Sequence, residues 1–189
     1  MSVSTTVQSA EPTAALPAWT IDPLHSTVEF SVRHMVVSTF TGRFTSFAAD
    51  IRFDEDRLDD SSIVATVDVA SIDTGNEQRD AHLKSDDFFS AAHYPQMTFR
   101  SNRIERTADG FKIYGELTIR GVTRPVVLDA EYGGQVVDPW GNIRTGIVAE
   151  TSINRKDFGL NWNALIETGG AVVGDKVKIT LHIEATRPA

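Results

Sequence analysis

Residues 27–34 read "TVEFSVRH". Val28, Phe30 and Val32 fall on one parity, and Thr27, Glu29, Ser31 and Arg33 on the other. Successive side chains of a strand point to opposite faces, so this alternation predicts a strand with one apolar and one wet face. The pattern recurs along the chain. Phe47, Ala49, Ile51 and Phe53 share a parity, as do Ile63, Ala65, Val67 and Val69. Further sets are Met97 with Phe99, then Phe111, Ile113, Gly115, Leu117 and Ile119, and then Val126, Leu128, Ala130 and Tyr132. The last two are Ile147, Ala149, Thr151 and Ile153, followed by Val177, Ile179, Leu181 and Ile183. About eight one-sided strands must run antiparallel around one interior. The intervening "ADG" (108–110), "RGVTRP" (120–125) and "DPWGN" (138–142) are turn sequences.

Such a set can close into a barrel just wide enough for a small or narrow ligand. An interior this rich in Phe, Ile, Val and Leu is either a filled core or a lipophilic cavity, and the pattern alone leaves both open. By parity, the candidates for the apolar interior are Phe30, Val32, Phe47, Ile51, Phe53, Val67, Met97, Phe99, Leu117, Ile119, Leu128 and Ile179. Phe88 and Phe89 join them from a helical cover, and Phe158, Trp162 and Leu165 from a late loop. His34 continues the inner parity of Phe30 and Val32, either as a hydrogen-bonded interior histidine or as a contact to a ligand headgroup. Arg79 and Arg155 are the other polar candidates. Pairing with Asp80 and Asp157 is the favoured, structural reading of these two.

The alternation breaks between Ser71 and Pro95. Within it lies "DTGNEQRDAHLKSDDFFSAAHYP" (73–95). Thr74 and Glu77 form a T-x-x-E capping box, which predicts a helix start at Thr74. A short helical insertion is expected at about residues 75–92, with Ser85 or Asp86 capping a second short helix that carries Phe88 and Phe89. Asp73-Thr74-Gly75 also matches the active-site tripeptide of aspartic proteases. That chemistry needs two aspartates sharing a proton, and the chain holds one such tripeptide. An aspartyl hydrolase using Asp73 is therefore the minor alternative to a helix cap.

Other chemistries find little footing. The chain of 189 residues contains no cysteine, which excludes disulfides and thiolate sites. Its five histidines make no H-x-H or H-E-x-x-H pair, and no metal site is expected. There is no G-x-S-x-G elbow and no phosphate-binding G-x-x-x-x-G-K-[ST] loop. With 18 Lys and Arg against 26 Asp and Glu, the net charge of -8 gives no electrostatic reason to bind nucleic acid. No apolar run is long enough for a transmembrane helix. Residues 1–18 are rich in Ser, Thr, Ala and Pro, without the basic and apolar regions of a signal peptide. They are expected to be a disordered arm before one domain at 19–189, and the protein is expected to be cytoplasmic.

Several motifs together resemble one family. "WTIDPLHSTVEFSVRHM" (19–35), "GRF" (42–44) and "ASIDTGNEQRDAHLKSDDFFSAAHYPQMTFRS" (70–101) are similar to the opening and central blocks of the YceI-like, polyisoprenoid-binding proteins. "GELTIRGVTRPVVL" (115–128), "INRKDFGL" (153–160) and "VGDKVKITLHIEA" (173–185) resemble its later segments in the right order. The resemblance implies an all-β fold, an extended antiparallel lipocalin-like barrel. It also implies a non-catalytic role: binding, sequestering or carrying an isoprenoid quinone, a polyprenyl phosphate or a similar amphiphile, with no other cofactor. Many such relatives carry a secretion signal and many pair, so a homodimer is an expectation. The alternative is a filled barrel that acts as a stress-related interaction module.

Overall fold

The computed structural model describes residues 15–35, 37–164 and 172–189. Most of the expected disordered arm, residues 1–14, lies outside the described residues. Its last residue does not belong to an arm, because β1 (Ala18–Ile21) already pairs Ala18 with Arg52 and Trp19 with Ile51.

The strands that follow are β2 (Thr27–His34), β3 (Ser38–Phe44), β4 (Phe47–Arg52), β5 (Ser62–Asp68) and β6 (Ile72–Asp73). After the helix α1 (Glu77–Lys84) come β7 (Gln96–Arg106), β8 (Gly110–Ile119), β9 (Val122–Val137), β10 (Asn142–Asn154) and β11 (Val173–Pro188). Every pairing is antiparallel. The eleven strands make a closed barrel of eight staves. Three staves are bent, and each bend splits one stave into two strands: β1 with β2, β3 with β4, and β5 with β6. On either side of the bends β1 meets β4 and β2 meets β3, while β4 meets β5 and β3 meets β6. Closure falls on β11, which pairs with β10 along one edge and with both β1 and β2 along the other.

The bend between β1 and β2 is tied to this closing strand. Ser26 is buried, donates from Oγ to the Glu184 carbonyl and accepts from the Glu184 N–H. Asp22 donates its backbone N–H to the same carbonyl. Its carboxylate accepts from Arg144 at 2.9 Å and meets His25 Nδ1 at 2.9 Å. Arg144 also bonds Glu184 and Asp138. One guanidinium on β10 thus gathers carboxylates from the β1–β2 bend, the β9–β10 turn and β11.

The strand β3 was not expected. Its inner parity carries Phe40, Gly42 and Phe44 between Thr39, Thr41 and Arg43, so the apolar signal is interrupted at the centre. Gly42 is there for space: a Cβ at this position would lie 2.5 Å from the Phe30 ring. The helix also starts later than expected. Its N-cap is Asn76, whose side chain accepts from the Arg79 N–H. The Thr74 hydroxyl is engaged elsewhere, donating to Asp80 and accepting from Arg79 Nε. The second short helix does not form. Residues 86–89 are turns, closed by Phe89 N–H to Leu83 O and Ser90 N–H to Ser85 O, and Ser85 is the C-cap of α1. No helix among the described residues is long and apolar enough to cross a membrane.

The Arg144 cluster predicts an acid response. Bonds from Arg144 and then His25 hold the Asp22 carboxyl far below the usual carboxylate range. A carboxyl with a depressed folded-state pKa stabilises the fold above its unfolded value, near 4, and loses that contribution as pH falls towards the folded value. Arg144→Gln removes the first cause, so acid unfolding followed by far-UV circular dichroism should shift to higher pH. An unchanged acid midpoint would mean that the cluster does not secure the closure.

Candidate functional site

Inward parity does not translate into full burial in this barrel. Val28, Phe30, Val32, Phe47, Ala49, Ile51, Leu117, Ile147 and Ile179 are only half-buried although they line the interior. An inward side chain keeps accessible surface when the residues opposite are too far away to cover it. The interior is accordingly hollow, with a cavity of about 270 Å³. Packed residues close in from both sides. One cluster contains Trp19, Phe53, Phe99, Ile104, Phe111, Ile113 and Leu128. The other contains Phe44, Val69, Ile72, Met97, Ile119, Phe158 and Leu160. Leu117 packs against both.

Most of the apolar candidates, from the strands and from the covering segments, border this hollow. Phe30, Val32, Phe47, Ile51, Phe53, Val67, Phe88, Phe89, Met97, Phe99, Leu117, Ile119, Leu128, Phe158 and Ile179 all line it. Phe53, Phe88, Met97, Phe99, Ile119, Leu128 and Phe158 are themselves buried and act as packed wall. Trp162 is not among the lining residues. It stacks outside them, 4.8 Å from the His82 ring and 5.2 Å from Phe88. Leu165 lies outside the described residues.

The three polar candidates part company. His34 ends β2, paired with Val173 and Ser38, and does not line the cavity. Arg79 is exposed on α1, where its guanidinium sits 4.0 Å over the Phe40 ring and donates to the Thr74 hydroxyl and carbonyl. The expected pair with Asp80 is absent; Thr74 stands between the two side chains and bonds both. Arg155 does line the cavity and is only 4% exposed. Its partner is Asp175 at 3.4 Å rather than Asp157. It also donates to the carbonyls of Gly174 at 2.9 Å, Trp162 at 2.8 Å, Leu160 at 2.5 Å and Val173 at 3.3 Å. A guanidinium has five N–H groups, and these bonds use all of them. Burial lowers the pKa of Arg155 from its ordinary value, and the five acceptors compensate the buried charge.

Arg120 performs a similar task and was missed by sequence reasoning. It sits at positive φ in the β8–β9 turn and donates to the carbonyls of Phe88 at 2.9 Å and Gly159 at 3.3 Å. Together, Arg120 and Arg155 fasten the segments that carry Phe88, Phe158 and Leu160 over the hollow. An arginine beside glycine in a turn was the available signal, and its partners lie 32 and 39 residues away.

Asp73 has a plain role. Its carboxylate accepts from the Gly75 N–H at 2.9 Å and from Arg43 at 2.8 Å. These two contacts, the amide first, hold its carboxyl below the ordinary range. A proton-sharing carboxylate pair raises one of its two pKa values instead. Elsewhere, Asp22, His25 and Glu184 bring three possible metal-ligand atoms within 4.8 Å. Arg144 already bridges the two carboxylates and supplies the positive charge.

Arg155→Leu should leave buried carbonyls without donors, at about 1–3 kcal/mol for each group that water cannot reach. Urea unfolding should show a loss of at least about 2 kcal/mol. A stable Arg155→Leu variant would contradict the clamp.

The hollow barrel has known counterparts. A UPF0312 protein of Pectobacterium atrosepticum is 37% identical over 163 residues, covering 86% of this chain and 82% of that protein. The crystal structure of Burkholderia cenocepacia BcnA matches with a TM-score of 0.76 at 26% identity, covering 87% of this chain and 98% of that one. A polyisoprenoid binding domain from Saccharophagus degradans shares the fold with a TM-score of 0.63 at 17% identity, covering 91% of this chain and 99% of that domain. The model of the YceI-like domain matches residues 19–185, nearly the whole barrel, and the chain belongs to this family.

Proposed function

We propose that the protein binds a long apolar lipid of the isoprenoid type inside its barrel, and sequesters or carries it without chemical change. The observation that carries this reading is the hollow itself. Half-buried Val, Ile, Leu and Phe side chains face one another across an unfilled interior. A native interior otherwise packs to near-crystalline density, and each unfilled space forfeits contacts. A hydrocarbon chain entering the hollow would recover roughly 25 cal/mol for each Å² of apolar surface taken from water. Membership of the YceI-like family supports the same reading, as does a fold shared with a domain described as polyisoprenoid-binding. The lining is almost wholly hydrocarbon, which suits an apolar chain. The ionic groups here serve the fold: Asp73 is paired with Arg43, and Arg155 is fully bonded within the chain.

Organic-solvent extraction of the purified protein followed by mass spectrometry should recover a long-chain isoprenoid lipid in near-stoichiometric amount. Ala49→Trp should fill part of the hollow from the β4 wall, where Ala49 lines it opposite Ala65. The variant should lose at least about tenfold in lipid occupancy, because overpacking and binding compete for the same space. An empty wild-type protein that stays empty after incubation with isoprenoid quinone and polyprenyl phosphate would favour the filled-barrel interaction module.

A further inference from the structure

The β9–β10 hairpin ends in an apolar tip that the barrel interior does not use. Residues 132–143 hold a single charged side chain, Asp138. That carboxylate is buried in the turn, where it accepts from the N–H groups of Trp140 at 3.0 Å and Asn142 at 2.9 Å and meets Arg144 at 3.4 Å. The surface left facing water is apolar: Trp140 is 78% exposed, Val137 70% and Val136 64%. Pro139 is exposed between them. Leu24, 89% exposed, is tied to the same cluster, because its N–H is donated to Asp22 and Asp22 pairs with Arg144. Single exposed apolar residues are ordinary, but a contiguous group marks an interaction site.

Shape and area say what covers it. Val136 and Val137 are neighbours in β9 and point to opposite faces of the hairpin. β8 stops at Gly110, opposite Glu131, so this part of β9 has no strand on that side. The tip is therefore a knob, apolar on both sides and at its end. A rigid protein partner would cover one side of it, whereas a fluid phase surrounds both. A large aromatic buries about 150–250 Å² when fully covered. Trp140 and the two valines together thus expose on the order of 300 Å². Each side of a stable protein interface gives up roughly 800 Å².

We propose that this tip docks the protein on the surface of a lipid bilayer, with Trp140 at headgroup level. Trp suits that depth, with an apolar ring and an N–H that stays hydrated. The free edge of β9 sets the limit, because its unpaired backbone groups have no partners in hydrocarbon, and the tip enters the interface and goes no deeper. The attraction is apolar. The chain carries a net charge of -8, and residues 132–143 include no Lys or Arg, so anionic headgroups add nothing. The proposal is independent of what the barrel holds.

The test is flotation of the full chain with vesicles of phosphatidylcholine, alone and with added phosphatidylglycerol. The protein should float with phosphatidylcholine vesicles, no more strongly when phosphatidylglycerol is present, and equally well at high salt. Trp140→Ser should lower the partition coefficient at least about tenfold, and Val136→Ser with Val137→Ser should lower it several-fold. Val37→Ser is the control. Val37 is also exposed, but its turn adjoins the first residue of β11, Val173, whereas the tip adjoins the last, Pro188. That variant should bind as wild type does. Brominated phosphatidylcholine should quench wild-type fluorescence more than that of Trp140→Phe. All of these side chains face water, so far-UV circular dichroism should match wild type throughout. A protein that stays out of the vesicle fraction, or a folded Trp140→Ser variant that floats as wild type does, would overturn the proposal. So would a dimer in sedimentation that Trp140→Ser dissociates, since a second copy would then cover the tip.

Discussion

The protein depends on the two edges of one strand. β11 pairs with β10 from Asn142↔Pro188 to Asn154↔Lys176. On its other edge it pairs with β1 near its end and with β2 before that. Without that double pairing the sheet would be open, with exposed edges and its apolar face in water. With it, every inward side chain on the staves faces the same enclosed space. The buried Ser26 and the Arg144 cluster act at this seam, where β1 turns into β2 and neither continues the pairing of the other.

Closure fixes the circumference, and the inner side chains decide how much of the interior is filled. Aromatic residues fill part of it: Phe53, Phe111 and Tyr132 meet with ring centroids 5.2 to 6.2 Å apart. Elsewhere alanine, valine, isoleucine and leucine dominate and leave the hollow between the packed clusters. The segments carrying Phe88 and Phe158 need fixed positions because they cover this space, and the half-buried Arg120 and the buried Arg155 hold their carbonyls. The charges that look most like chemistry in the linear chain are therefore the ones most fully used by architecture.

The strand framework was legible in the sequence because one wet and one apolar face leave a period-two trace. β2 matches its expected residues to both ends, whereas β9 and β11 run well beyond their apolar cores into segments whose pairing partner, not their own pattern, keeps them extended. β3 escaped because Gly42 takes the place where an apolar side chain would have marked the inner face. The helix start was misplaced for a related reason: Thr74 has the right chemistry for a cap, but Asp80 and Arg79 compete for its hydroxyl and Asn76 caps instead. Local spacing alone pairs Arg155 with Asp157, two residues away. The chain brings it to Asp175 and to carbonyls of two separate segments, which no local spacing reveals.

Diffraction from crystals of the protein as purified tests the hollow barrel most directly. The account predicts continuous elongated density along the inner wall, passing Phe30, Leu117 and Thr151, with the barrel still closed by β11. A dry interior in which Phe30, Phe47 and Leu117 have moved together and packed across the axis would contradict it.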